Sequence, residues 1–208
     1  ERPTGGLSVI VVDGQGSGAA AKTLSLMVSS KAVALLKEGV RDGAVARGTH
    51  DFLHAYRHGK VSATLDIVSV DLATSTIVVT RNSPTPYLLG RESNYESVAS
   101  ETGPIGPYRH MRPSLAHYPI APGLRIIVFT DGITTAGGGA AFDPLAHVRE
   151  LPAASTAAHD LADGLLEAAV AADQGRPRDD MTVVAVTIEQ VLDAQPIRRQ
   201  RVSLPFPG

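Results

Sequence analysis

The run LSVIVV at 7–12 is short, apolar and β-branched, and it predicts a buried strand. The next long segment, GAAAKTLSLMVSSKAVALLK at 18–37, predicts a helix, with Ser17 as its N-cap and Gly39 as its stop. A second helix is predicted over 41–58. Its apolar stripe is read as Val45, Phe52 and Tyr56. SATLDIVSVD (62–71) and TIVVTR (76–81) predict an antiparallel hairpin, and SPTPYLLG (83–90) a proline-marked turn entering another strand. The stretch 91–114 is polar and rich in Gly and Pro, and predicts mostly loop. Strands follow at 115–120 and 124–130, then a flexible loop over 137–144. A helix is predicted over 155–173, capped by Ser155 or Thr156, and a last strand over 181–188. The strands are joined by short turns, which predicts a mainly antiparallel α+β fold rather than a doubly wound parallel sheet.

The glycine-rich stretch VVDGQGSGAAAKT (11–23) lies between the first strand and the first helix, where phosphate-binding loops sit. It fails as a Walker loop, because Lys22 is separated from Gly18 by three alanines. Gly14, Gly16 and Ala19 match a dinucleotide fingerprint only formally. Glu38, at the expected distance for the ribose acid, ends a helix, and Asp13 puts a carboxylate where pyrophosphate would sit.

A metal reading accounts for more. An apolar strand followed by Asp-Gly occurs twice, at Asp13-Gly14 and at Asp131-Gly132, and Asp179-Asp180 precedes the last strand. A lone Asp-Gly is an ordinary turn pair. Carboxylates gathered at three strand mouths repel one another, and a hard divalent cation such as Mg²⁺ or Mn²⁺ relieves that conflict. The glycines are expected to let the backbone turn sharply and aim a carbonyl at the ion.

Composition narrows the field. The 208 residues suit one domain, and the formal net charge of −2 gives no bulk attraction to nucleic acid or anionic membrane. There is no cysteine, which excludes disulfides and thiolate metal sites, and fits a reducing, cytoplasmic setting. No run is read as long enough to span a membrane and no signal peptide is recognised. The chain opens on Glu1 rather than Met, which leaves room for a segment upstream.

Taken in series, these motifs resemble the metal-dependent protein serine/threonine phosphatases of the type-2C superfamily, in the bacterial SpoIIE/RsbU/RsbX branch. VVDGQGSGAAA is similar to its Asp-Gly-x-Gly signature, and SATLDIVSVDLATSTIVVTRNSPTPYLL to its Ala-Thr strand pair and Asn-x-x-x-Pro turn. TGPIG (102–106) resembles its Gly-x-Pro-Leu-Gly segment, PGLRIIVFTDGI its Thr-Asp-Gly strand and RDDMTVVAV its closing Asp-Asp-x-Thr strand. The resemblance covers most of 7–188. It implies a four-layer α-β-β-α sandwich of two antiparallel sheets, and a domain over 1–190 followed by a tail over 191–208. It also implies a two-metal Mn²⁺ or Mg²⁺ site that activates a water. Asp13, Gly14, Asp131 and Asp179 carry over as ligands, with Asp180 as an orienting neighbour. The expected substrate is a phosphoserine or phosphothreonine on a bacterial regulatory protein, a class that includes STAS-fold anti-sigma factor antagonists in stress or sporulation circuits. The branch usually carries a further Gly-Asp upstream. None of the twelve residues before Asp13 is Asp, so either that strand precedes this sequence or the site has one acid fewer. The second case would weaken one metal site and favour the alternative reading, a catalytically impaired phosphatase-like scaffold that binds a phosphoprotein.

The remaining polar constellations read as structural. His50, His54 and His58 fall at i, i+4, i+8, opposite the stripe of Val45, Phe52 and Tyr56, and are expected on a solvated helix face; HDFLH also lacks the glutamate of a zinc-protease helix. Ser17 lacks the spacing of a nucleophile elbow. Arg176 and Arg178 flank the third acidic site, where they could steer a phosphate or serve only as surface charge. Arg198, Arg199 and Arg201 are expected in a solvated tail.

Overall fold

The computed structural model describes residues 1–3, 5–91, 94–138, 142–152 and 157–190. Two antiparallel four-stranded sheets face each other. The first has the order β1-β2-β3-β6, formed by Leu7–Gly14, Ala63–Asp71, Thr76–Asn82 and Ser114–Pro119. The second has the order β5-β4-β7-β8, formed by Asn94–Val98, Tyr87–Arg91, Leu124–Phe129 and Val183–Thr187. Helices α1 (Gly18–Lys37) and α2 (Asp42–Arg57) cover the outer face of the first sheet. Helices α4 (Pro144–Glu150) and α5 (Ala158–Ala172) cover the second, and a single turn, α3 (Asp131–Thr134), follows β7. This is the expected four-layer sandwich.

Period-two alternation divides each inner strand between two cores. On β2, Leu65 and Ile67 face the helices with Leu24, Val28, Ala32 and Leu53. Val68, Ile77 and Val79 face the second sheet and meet Leu89, Ile126 and Val128. At one end of this inter-sheet core lies a buried ion pair. Arg81 Nε and Nη2 donate to the two oxygens of Asp66, both at 2.9 Å, and the guanidinium lies over the Tyr87 ring. Arg81 is 1% exposed. Burial raises the Asp66 carboxyl, and the guanidinium opposes that rise.

Several expectations need correction. The 91–114 stretch contains β5, an edge strand in which only Tyr95 is buried, so it carries little hydrophobic signal. In the stretch expected as a 137–144 loop, a short turn covers Ala136–Gly138 and α4 begins at Pro144, while residues 139–141 lie outside the described residues. The helix is announced by Asp143-Pro144: Leu145 N–H donates to Asp143 Oδ1 at 2.9 Å, and proline fills the first turn. Helix α1 is, by length and composition, apolar enough to cross a membrane, contrary to expectation. In the fold Leu24, Val28, Ala32 and Leu36 bury one stripe of it against the sheet and α2, as in a core helix.

The three histidines do not share a solvated face: His50 is buried, His54 half-buried, and only His58, at the C-cap of α2, is exposed. The helix buries Val45, Ala46, Thr49, His50 and Leu53, while Tyr56 is exposed. Phe52 and Tyr56 stack on each other on the outer side, with Lys31 over Phe52 and Arg57 over Tyr56. The buried face is thus centred on Thr49 and Leu53 and reaches His50, not Tyr56. The proposed caps at Ser155 and Thr156, and the arginines at 198, 199 and 201, lie outside the described residues.

Candidate functional site

Asp13 and Gly14 are the last residues of β1, paired with Thr64 and Ala63 at the start of β2. Gly14 is needed because α1 crosses directly over it. A Cβ there would stand 2.7 Å from the Ala21 carbonyl oxygen and 2.9 Å from Ser25 Oγ. Gly14 N–H donates to Ser25 Oγ at 2.9 Å, and Ser25 Oγ donates to the Ala21 carbonyl at 3.0 Å. Ser25 thus ties the strand end to the helix, a role the sequence pattern gave no sign of.

The second and third acids are brought together by a similar close approach. A Cβ on Gly132 would lie 2.6 Å from the Asp180 carbonyl oxygen. Thr130 Oγ1 donates to that carbonyl at 3.0 Å and accepts from Thr182 N–H at 3.0 Å. Asp180 N–H donates to Asp179 Oδ1 at 2.8 Å. Asp131 opens α3, and the hydroxyls of Thr134 and Thr135 donate to its carbonyl at 3.0 and 2.9 Å. The reason for glycine after aspartate therefore differs from the expected one. Neither Gly14 nor Gly132 has a positive φ; each is required by backbone packed against it.

The acids named from the sequence converge on Asp13. Partial burial raises its carboxyl from the ordinary 3.8 to about 6, helped by the charges of Asp131 and Asp179, a side-chain hydrogen bond with Asp131, and the charge of Asp180. Asp131, Asp179 and Asp180 are exposed around it. Among the described residues no three such side chains close into a ready ligand shell. The four side chains nonetheless offer only carboxylate oxygen, and the charges of the other three disfavour ionisation of Asp13, which is the chemistry a hard divalent cation suits.

The other candidates take lesser places. Ser17 stands at the N-cap of α1, but its side chain makes no capping bond. Arg176 is exposed. Arg178, also exposed, sits 3.7 Å from Asp173, a buried acid that accepts from the backbone N–H of Gly137 at 3.0 Å and of Arg178 at 3.3 Å.

Comparison with known proteins agrees with this architecture. The model of the stage II sporulation protein E (SpoIIE) family matches residues 3–189. Stage II sporulation protein E of Bacillus subtilis (strain 168) is 24% identical over 180 residues, covering 86% of this chain and 22% of that protein. The chain therefore spans less than a quarter of the curated relative it matches. A solved structure of the PP2C phosphatase domain and a fragment of the regulatory domain of B. subtilis SpoIIE superposes with a TM-score of 0.77 at 22% identity, over 88% of this chain and 54% of that one. The SiaA-PP2C domain of Pseudomonas aeruginosa gives 0.71 at 17% identity, over 91% and 78%. The Mycobacterium tuberculosis serine/threonine phosphatase PstP/Ppp gives 0.66 at 16% identity, over 88% of each chain. With its two facing sheets, its carboxylates at one end and a family match over nearly its whole length, this chain has the PP2C fold and belongs to the stage II sporulation protein E (SpoIIE) family.

Proposed function

We propose that this domain is a metal-dependent protein serine/threonine phosphatase. The observation that carries the reading is the gathering of Asp131, Asp179 and Asp180 around a half-buried Asp13 in a SpoIIE-family fold. Asp13, the carbonyl of Gly14, Asp131 and Asp179 would hold the metal, with Asp180 orienting its neighbour. Mn²⁺ or Mg²⁺ bound there would offset the carboxylate repulsion, acidify a water for attack on phosphorus and screen charge on the phosphoryl oxygens.

The chain's own residues keep the site in register. Ser25 Oγ accepts from Gly14 N–H, which ties the strand end carrying Asp13 to α1. Thr130 bonds across to the Asp180 carbonyl, so the loops carrying Asp131 and Asp179 move together. The outward acids leave the mouth open to a phosphorylated side chain on a macromolecule. The substrate we propose is a phosphoserine or phosphothreonine on a bacterial cytoplasmic regulator, with a STAS-fold antagonist as the first to try. Structures of B. subtilis SpoIIE and of the RsbU and RsbW domains of Rv1364c from Mycobacterium tuberculosis share this fold. The test is hydrolysis of p-nitrophenyl phosphate with Mn²⁺, with chelator, and by Asp131→Asn. Activity that requires Mn²⁺ and disappears in the variant is expected. A folded protein inactive with Mn²⁺ would favour a phosphoprotein-binding scaffold.

A further inference from the structure

Helix α2 grips one residue of the 102–106 loop by both of its peptide groups. Gly106 N–H donates to His50 Nδ1 at 3.1 Å, and the Gly106 carbonyl accepts from His54 Nδ1 at 2.8 Å. The two rings stack 5.9 Å apart. The bonds require opposite tautomers: His50 must leave Nδ1 bare, and His54 must carry a proton there. Gly106 has φ +106°, and a Cβ on it would lie 2.4 Å from the Val61 carbonyl oxygen and 2.9 Å from Leu53 Cδ2, so only glycine fits the grip.

The gripped loop leads to the acidic site. Ile105 and Ala63 exchange two backbone bonds, at 2.9 and 3.1 Å. Ala63 is the register partner of Gly14. Beside it, Gln15 N–H donates to the Ser62 carbonyl at 2.9 Å, and Ser62 N–H donates to Gln15 Oε1 at 3.0 Å. Asn82 Nδ2 donates to the Gly103 carbonyl at 3.3 Å, fixing the other end of the loop. A continuous chain of hydrogen bonds and strand pairing thus runs from the two imidazoles to Asp13.

We infer that His50 and His54 are positioning residues for the Asp13–Gly14 strand end, acting through the 103–106 loop, and that protonation of His50 releases it. A charged His50 carries a proton on Nδ1, which then opposes the Gly106 N–H. His50 is 2% exposed. Burial lowers its basicity most. Asp51 opposes that, His54 adds to it, and the backbone of Tyr108 and Arg109 favours the charged ring without closing a hydrogen bond to Nε2. From the other elements packed on α2, β3 presents the uncharged Thr80 and Asn82, and Lys31 of α1 stands over Phe52 instead. Because the folded value lies below the ordinary 6.5, the ring stays neutral in the fold, and the grip fails as pH falls through that lowered value.

The inference rests on the proposed metal site only for its effect on Mn²⁺ affinity; the grip itself is tested separately. Amide hydrogen exchange at Gly106, Gln15 and Ser62 would be followed by NMR on the metal-free chain across acid and neutral pH. Mn²⁺ affinity would be measured by calorimetry alongside. The variants are His50→Asn, whose Oδ1 accepts without titrating, His50→Phe, and His54→Ala in case His50→Phe does not fold. Expected in the wild type is an acid-induced loss of protection at all three amides, absent in His50→Asn. In His50→Phe or His54→Ala, protection is lost at every pH and Mn²⁺ binds about tenfold more weakly. Unchanged exchange at Gln15 and Ser62 in those variants, or the same acid profile in His50→Asn as in the wild type, would overturn the inference. If the wild type binds no Mn²⁺ while the exchange results hold, the grip stands and the metal reading fails.

Discussion

Replacing Asp13 with Asn should stabilise the metal-free protein at neutral pH while removing metal binding. Burial and the neighbouring acids raise the Asp13 carboxyl from 3.8 to about 6, so the folded state holds its proton more tightly than the unfolded state does. Below the ordinary value both states are protonated and the residue costs nothing. As pH rises from 3.8 towards 6 the unfolded chain ionises first, and stability falls. Above 6 the penalty is complete. The full linkage is about 3 kcal/mol at about 1.4 kcal/mol per pH unit. Solvent reaches much of this carboxyl and screens the charges around it, which leaves about 1 kcal/mol. For a chain of this length that corresponds to a melting shift of about 3 °C. Thermal melts in chelator should show Asp13→Asn above the wild type at pH 7.5 and level with it at pH 4. Added Mn²⁺ should reverse the order at pH 7.5, because only the wild type gains from binding. A variant that melts below the wild type in chelator, or a gap that does not change with pH, would refute the electrostatic reasoning.

Other perturbations address the scaffold. Asp66→Ala strands a guanidinium that is 1% exposed and should cost about 3–5 kcal/mol in denaturant unfolding, whereas Asp66→Leu combined with Arg81→Met should recover most of that loss. Gly14→Ala drives a methyl against the Ala21 carbonyl and should lower stability by about 1–3 kcal/mol and weaken Mn²⁺ binding, as read by melting and calorimetry. Ser25→Ala leaves Gly14 N–H without its acceptor and should cost about 1 kcal/mol with the fold intact by circular dichroism.

The strands and long helices were legible because their burial is written in period two or in long apolar runs: LSVIVV, the hairpin at 62–81 and LRIIVF all fold as read. The acids at 13, 131 and 179–180 were legible because each sits beside an apolar strand, and strand ends of one sandwich meet in space. What escaped has local causes. β5 buries only Tyr95, and α4 is seven residues long, too short for periodicity to register. The burial of His50 could not be read from the 41–58 wheel, because Phe52 and Tyr56 supply a competing apolar stripe, of which the fold leaves Tyr56 exposed and Phe52 half-buried. The packing need behind Gly14 and Gly132 was invisible for a simpler reason: it depends on backbone that only the folded chain brings against them, Ala21 of the following helix for one and Asp180 for the other.

The measurement that bears most directly on the central claim is release of inorganic phosphate from a phosphoserine peptide, with Mn²⁺ present, by the wild type, Asp131→Asn and Asp179→Asn. Turnover by the wild type that chelator abolishes and that falls at least about a hundredfold in both variants is the predicted result. Equal turnover in all three, or turnover that persists in chelator, would contradict the assignment of these carboxylates to a metal-dependent phosphatase site.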